Sequence, residues 1–587
     1  MWLCSSIFGY YAGAPQSGIA LPCVTCITPH RRSETHELTR TNSTRQTREP
    51  ILGNQMNESR RSRFLRWPAR ATRPIWAALF AAAACSADAP APVAPEATPP
   101  TADPNTPPAE TPVAATVTVA TGSTVVNPDA QRLLGVTFEG RTSTRLGATG
   151  ATPAGLYDDA TGNLYPGVAA MWNSLPLTGM RYPGNAVNVR WDWKGTVGPV
   201  NLRPLQQLSG GAPAQRVVFG FDEYMAMAAA RGVAAADIQI MIVIYPTASA
   251  PDPAAAAADW VEYANAPNDG SNVRGGTDWA AMRAANGHPA PYGIRIWNIG
   301  NEPWSPSEYN FVAAPYIVQA LPIIDAMLQA DPTLRITIPA LGTASSPWNA
   351  GILASSAITS RAWGLSPHFF YTDDGSSGTI AQSEAGLTAV VQQATAKGLS
   401  VVIGDHAHAI PNQNTTATID LAMQWQGALT TASFLTMASQ VANVNRANFW
   451  IFGMPSAVWH PFRVNADGSY TKMALAMLYE LLQPVMLTQS LATTVAETSA
   501  GALRVRASSF RSADGKRINV VIVNSDRTAD QVANVATPAG FALVRTRLVT
   551  ATALNADTFD TATATPLAGG RWALPKASVL LLEFAAP

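Results

Sequence analysis

Cysteine is nearly missing from this chain. Its 587 residues hold four, at positions 4, 23, 26 and 85, so everything beyond residue 85 must fold without a disulfide or a cysteine-held metal. Charge is sparse as well. Asp, Glu, Lys and Arg make up 13%, 39 bases cancel 39 acids, and the pI is near 7.1. No basic stripe offers itself to nucleic acid and no acidic run to a solvating tail. Long apolar runs are lacking too. The N-terminal one, Ile75 to Cys85, is roughly half of what a bilayer demands, so it is too short for a membrane-spanning helix.

What the N-terminal region does contain looks like processing rather than fold. Residues 1–55 are of mixed polarity and rich in Arg, Thr and Ser, and are expected to be disordered or an over-extended start with Met56 as the initiator. Residues 56–85 read as a leader. Arg60, Arg61, Arg63, Arg66, Arg70 and Arg73 precede the apolar run and its small residues, the pattern of a secretory signal. Cys85 after that run resembles the lipobox of bacterial lipoproteins, although Ala82 stands where Leu is usual; cleavage within the Ala run is the rival reading. Residues 86–113 are rich in Pro, Ala and Thr and form a semi-extended tether. The expectation is an exported protein, lipid-anchored to the outer membrane at Cys85 or else periplasmic or secreted.

Past the tether, β-rich segments alternate with helical ones, as in a parallel α/β fold. Eight strands are expected at Leu133–Glu139, Thr178–Pro183, Ile238–Tyr245, Gly293–Asn301, Arg335–Leu341, Leu365–Tyr371, Ser400–Asp405 and Ala447–Phe452. Several are almost unbroken apolar runs, which suits strands covered on both faces. Helices are expected at Asp222–Arg231, Pro315–Leu328 and Ala417–Gln440. The fold class is therefore α/β: a (β/α)8 barrel over residues 131–484. Residues 485–587 change texture, with short strands at Ala502–Ser508, Arg517–Asn524, Val544–Val549 and Ser578–Phe584, and read as an all-β sandwich. A strand in residues 114–130 is expected to pair into it.

One stretch carries chemistry. Ile296-Trp-Asn-Ile-Gly-Asn-Glu-Pro-Trp304 is an apolar strand ending at an Asn-Glu-Pro turn, which places a carboxyl group at the C-terminal tip of the fourth strand. Parallel barrels keep their active sites at that end, and a carboxylic acid there can protonate a leaving oxygen, as glycoside cleavage requires. Around it run further ordered motifs: Gly135-Val-Thr-Phe-Glu139; Met180-Arg-Tyr-Pro-Gly-Asn185 with Trp191-Asp-Trp193; Phe219-Gly-Phe-Asp-Glu223; Trp260-Val-Glu-Tyr-Ala-Asn265; and Arg283-Ala-Ala-Asn-Gly-His-Pro289.

Together these resemble family 51 glycoside hydrolases, whose best-known members are α-L-arabinofuranosidases, from about residue 115 to the C-terminus. The resemblance implies a barrel with a β-sandwich and a polysaccharide or oligosaccharide substrate, with no cofactor. It implies Glu302 as general acid/base, and Glu139, Asn185 and Asn301 as contacts to sugar hydroxyls. Arg181 would be a buried partner of the carboxylates, and His368 and Tyr371 would lie beside the second carboxylate. Trp459 and His460 would be sugar contacts after the eighth strand. The family's nucleophile is a Glu closing the seventh strand. Here that strand reads Val401-Val-Ile-Gly-Asp405-His-Ala-His408, so Asp405 takes the position. It is one methylene shorter, about 1.3–1.5 Å of reach, so either the backbone shifts to restore contact or the pair opens toward an inverting geometry.

Blander readings stand beside these. His406 and His408 with Asp405 suggest a metal site only if the strand persists, and Pro411 argues that it ends; hydrogen bonding of sugar or carboxylate, with His406 in a supporting role and no metal, is the expectation. Glu223 and Glu262 sit in helical or loop segments and read as structural, while Asp373, Asp374 and Glu384 are fallback nucleophiles. Two other functions stay open. An endo-acting β-glycanase would show an open groove lined by Trp191, Trp193, Trp304 and Trp348. A non-catalytic polysaccharide-binding lipoprotein on a decayed hydrolase barrel is the reading that the substitution at position 405 motivates.

Overall fold

The computed structural model describes residues 116–138, 157–158, 163–184, 192–206, 214–247, 250–305, 309–372, 379–410, 421–452, 461–465, 469–497 and 504–587. The leader, Cys85 and the tether lie outside these described residues. Eight parallel strands close into a barrel: Gly135–Thr137, Met180–Tyr182, Ile238–Ile242, Ile296–Ile299, Arg335–Leu341, Ala362–Tyr371, Ser400–His408 and Val444–Phe449. They are called strands one to eight below. Each overlaps an expected strand, because segments buried on both faces keep a strong apolar signal.

The long helix differs from expectation. It runs Trp425–Ser439, not from Ala417, and residues 421–423 before it form a turn. Almost every residue of this helix is buried, so it has no solvent-exposed face and lies between barrel and sandwich. Trp425 Nε1 donates to Ala577 O at 3.0 Å, and Ser439 Oγ meets Ser508 Oγ at 2.6 Å. The β-domain is one nine-stranded sheet folded over a second core that includes Val117, Val119, Ile522, Trp572 and Leu582. Strand Thr116–Asn127 pairs antiparallel with Gln489–Glu497 and parallel with Gln531–Val535. No helix among the described residues is long and apolar enough to cross a membrane.

The barrel's lumen is polar. Gln239 Nε2 donates to Thr337 Oγ1 at 3.0 Å and Thr337 Oγ1 to Asn298 Oδ1 at 2.9 Å, all fully buried. These residues are polar interruptions in otherwise apolar strands, facing inward while their neighbours face the helices.

The motifs between Trp260 and Glu302 build the approach to strand four. Trp260, on helix Pro253–Asn265, stacks on Trp193 (centroids 5.5 Å, 7° between planes) and meets Trp297 edge-on at 5.8 Å. Asn265 takes both backbone groups of Ile294, at 2.7 and 2.8 Å. Arg283 is fully buried and donates to the carbonyls of Tyr263, Ala266, His288 and Pro289 at 2.8–3.2 Å. Burial pushes its guanidinium pKa down. Arg283→Met leaves four carbonyls without this donor, at about 1 kcal/mol or more each, so urea denaturation should show a loss of at least about 3 kcal/mol. A loss under about 1 kcal/mol would refute this account of the motif.

Candidate active site

Strand four ends at Ile299, and the chain then turns sharply. Gly300 adopts φ 89°, a region open to glycine, and its N–H donates to Ile242 O at 3.0 Å. Glu302 follows at φ 40°. A non-glycine residue in the left-handed region costs about 1–2 kcal/mol, and such strain concentrates where a side chain must be aimed. The carboxyl group of Glu302 stands above the strand ends with its side chain 22% exposed.

Asp405 reaches the same place by another route. Near its C-terminal end, strand seven carries one extra residue against both neighbours. Leu365 pairs with Val401 but His368 with Asp405, and Ile403 pairs with Ala447 but His406 with Phe449. Both offsets overlap at Gly404, which marks a β-bulge, the device that re-aims a side chain at the rim of a barrel. A Cβ at Gly404 would lie 2.6 Å from Ser366 Oγ and 2.8 Å from His368 Nε2, so position 404 faces the lumen. Asp405 faces the lumen too, because its carboxylate meets Thr137 and Arg181 there. Two consecutive inward residues are what a bulge produces.

The Asp405 carboxylate is fully engaged. Thr137 Oγ1 donates to Oδ1 at 2.6 Å and Arg181 Nη1 to Oδ2 at 2.5 Å. Arg181 Nη2 donates to Asn301 Oδ1 at 2.9 Å and lies 3.3 Å from His368 Nε2. Guanidinium groups only donate, so Nε2 must be the accepting nitrogen and the ring proton sits on Nδ1. That nitrogen then donates to Glu302 Oε1 at 2.8 Å and stands 3.6 Å from Asp405 Oδ2. The two distances together bound the separation of those carboxylate oxygens at about 6.4 Å. Burial pushes the Arg181 pKa down, against the pull of Asp405 and Glu302.

Of the residues singled out by sequence, the structure brings Glu302, Asp405, Asn301, Arg181 and His368 into one cluster. Tyr371 turns the other way. Its ring stacks on Phe434 of the Trp425–Ser439 helix at 4.5 Å, and its hydroxyl bonds Thr431 Oγ1 at 3.2 Å and His406 Nδ1 at 3.0 Å. The strand does persist to His408, yet His406 and His408 both face this helix, His408 bonding Thr430 at 2.8 Å. No group of three metal-ligating side chains occurs among the described residues. Glu139, Asn185, Trp191, Asp373, Asp374, Trp459 and His460 lie outside the described residues. Glu384 pairs with Arg506 of the sandwich, Glu223 caps its helix at Gly220 N, and Glu262 pairs with Arg274. Trp193 and Trp348 are buried, while Trp304 is half-buried with its ring 6.5 Å from His368. Sequence reasoning missed Thr137 and Gly404 as site residues. Thr137 is the polar residue of the short strand Gly135–Thr137, and that is the signal that could have found it.

The bulge and the buried imidazole of His406 each lead to a test. Gly404→Ala should push His368 off its bridge and reduce turnover about 10²-fold, the scale of an ångström's misplacement, with little change in the thermal midpoint. Equal activity would show that position 404 has slack. On the outer face, burial pushes the His406 pKa down to about 3. The unfolded chain therefore binds a proton that the fold refuses, and this contribution to stability is intact above pH 6.5 and lost as pH falls toward 3. In denaturation at pH 7.5 and pH 5, His406→Phe should lose less stability on acidification than the parent; equal losses would contradict it.

Residues 171–374 match the family model described as the Alpha-L-arabinofuranosidase 1 domain. An intracellular exo-α-(1→5)-L-arabinofuranosidase of Streptomyces lividans is 32% identical over 186 residues, which is 30% of this chain and 25% of that protein. A probable α-L-arabinofuranosidase C of Aspergillus clavatus is 29% identical over 165 residues, 28% of this chain and 30% of that protein. The matches thus span less than a third of either relative. Among solved structures, a family 51 α-L-arabinofuranosidase from Bifidobacterium longum superposes with TM-score 0.65 at 16% identity, covering 80% of this chain and 99% of that one. An α-L-arabinofuranosidase from Thermotoga maritima, in an arabinose complex, gives 0.63 at 18%, with the same coverage. The chain therefore has the fold of these enzymes, and the family 51 resemblance read from its motifs is borne out.

Proposed function

We propose that this chain is a retaining glycosidase of the α-L-arabinofuranosidase type, acting on oligosaccharide or polysaccharide. One observation carries the reading: Glu302 and Asp405 flank the same His368 nitrogen, with their nearest oxygens no more than about 6.4 Å apart. Retaining enzymes hold their carboxyl groups about 5–5.5 Å apart, and inverting ones about 6.5–9.5 Å to admit a water. The bound falls just under the inverting range.

In the first step Glu302, the more exposed of the pair, gives its proton to the glycosidic oxygen while the Asp405 carboxylate attacks the anomeric carbon. The C–O bond breaks and a glycosyl ester forms on Asp405. In the second step the Glu302 carboxylate takes a proton from water, and the hydroxyl displaces Asp405. Arg181 and Thr137 fix the attacking carboxylate through both oxygens. His368, held in one tautomer by Arg181, orients Glu302. The likeness to arabinofuranosidases supports the sugar named here.

The non-catalytic reading is favoured by a single fact, the 3% exposure of the Asp405 side chain. A nitrophenyl α-L-arabinofuranoside assay separates the two. The parent should turn over, Glu302→Ala should fall by about 10²–10⁴-fold, and azide should partly restore it. Proton NMR should show the first sugar released with retained configuration. An inverted first product would overturn the mechanism, and a parent inactive on a broad furanoside and pyranoside panel would leave sugar binding alone.

A further inference from the structure

Thr137 closes strand one, and its hydroxyl is the second hold on Asp405. It is fully buried and stands level with Arg181, since the two residues are register partners on strands one and two. Phe452 N donates to Thr137 O at 3.0 Å and Phe138 N to Arg181 O at 2.7 Å, so the backbone beneath both donors is tied. A β-branched side chain also has little freedom at χ1. A carboxylate only accepts, so Thr137 Oγ1 must donate to Oδ1 across their 2.6 Å contact.

The two oxygens of Asp405 face different ways. Oδ2 lies toward the acid: His368 Nδ1 is 3.6 Å from it and 2.8 Å from Glu302 Oε1. Oδ1 is turned to strand one, where Thr137 covers it. A sugar held between the carboxyl groups therefore meets Oδ2. When Oδ2 bonds to the anomeric carbon, the departing oxygen leaves with the proton of Glu302, and Oδ2 gives up its charge to the new bond. The hold of Arg181 on that oxygen then weakens, because hydrogen bonds to ionised acceptors are roughly twice as strong as those to neutral ones. Oδ1 becomes the carbonyl oxygen of the ester and keeps the hydroxyl of Thr137.

A donor on Oδ1 acts with opposite sign in the two steps. Its bond is strongest to the free carboxylate, weakest to the ester, and intermediate in both transition states, where the charge is part-formed. It thus holds the nucleophile back in the first step. In the second step water bonds to the anomeric carbon, its proton passes to Glu302, and Oδ2 departs with the electron pair. There the donor stabilises the charge that returns to the carboxylate. We propose that Thr137 is a positioning residue that serves the second step, speeding release of the sugar from Asp405 while slowing the attack that loads it. The proposal rests on the retaining reading above and adds which step this hydroxyl governs.

The test uses 2,4-dinitrophenyl and phenyl α-L-arabinofuranosides. Dinitrophenolate departs readily, so kcat on the first substrate reads the second step; phenolate departs slowly, so kcat/KM on the other reads the first step. In Thr137→Val, kcat on the dinitrophenyl substrate should fall about tenfold, the order of one charge-assisted hydrogen bond partly lost, behind a burst of about one dinitrophenolate per enzyme. On the phenyl substrate kcat/KM should hold or rise, which also reports an intact fold and a correctly aimed Asp405. Mass spectrometry of the quenched variant should find the sugar on the peptide that contains Asp405. Thr137→Ser keeps the hydroxyl and should stay close to the parent. Thr137→Cys, a weaker donor, should fall between, and it carries the test if Thr137→Val does not fold. Equal losses on both substrates, or no burst in the variant, would overturn the role of Thr137 and leave the glycosidase reading intact. A parent that releases no dinitrophenolate overturns both.

Discussion

The site depends on one buried ion pair. Arg181, with no exposed surface, meets Asp405 at 2.5 Å across the lumen of the barrel. Removing two charges from water is expensive, and the pair is tolerable because both terminal nitrogens of Arg181 and both oxygens of Asp405 find partners, while Arg181 Nε has none among the described residues. Arg181 also serves Asn301 and His368, and Thr137 takes the other oxygen of Asp405. Residues at or just beyond the ends of strands one, two, four, six and seven thus meet in one network around this guanidinium. Taking away either partner would strand a charge in a water-poor place, a loss of about 3–5 kcal/mol. The same arrangement that stabilises the barrel's upper layer therefore holds the two carboxyl groups face to face.

Backbone geometry supplies what side-chain length does not. The bulge at Gly404 gives Asp405 an inward direction, and the left-handed conformation of Glu302 lifts the other carboxyl group over the strand ends. Both are local departures from regular structure, and both are backed by buried, hydrogen-bonded neighbours: a polar lumen below, the Arg283 clamp behind strand four, and the buried Trp425–Ser439 helix behind strand seven. Strain at the site is stored in a rigid frame, which fits a centre that must aim rather than flex.

The motifs that carry the family resemblance divide into two kinds. Glu302, Asn301 and Arg181 enter the cluster directly. Trp260, Asn265, Arg283 and the run to Pro289 never touch it, and instead fix the height and angle at which strand four arrives. His368 was legible because it stands three residues before the end of a predicted strand and near a predicted carboxylate. Tyr371 was misjudged because residues 368 and 371 lie on opposite faces of one regular strand, and the position of a ring depends on that parity as much as on its place in a motif.

Sequence alone determined the order of strands and helices, the barrel closing on a β-domain, and the placing of a carboxyl group at the tip of strand four, since apolar periodicity and an Asn-Glu-Pro turn are local signals. It also exposed Asp405 as the unusual residue. Tertiary structure alone decided that Asp405 faces the lumen, that His406 and His408 do not, and that a single imidazole lies between the two carboxyl groups. A bulge is defined by pairing with two neighbouring strands, and a tautomer by the partner across the lumen. Neither can be read from residues adjacent along the chain.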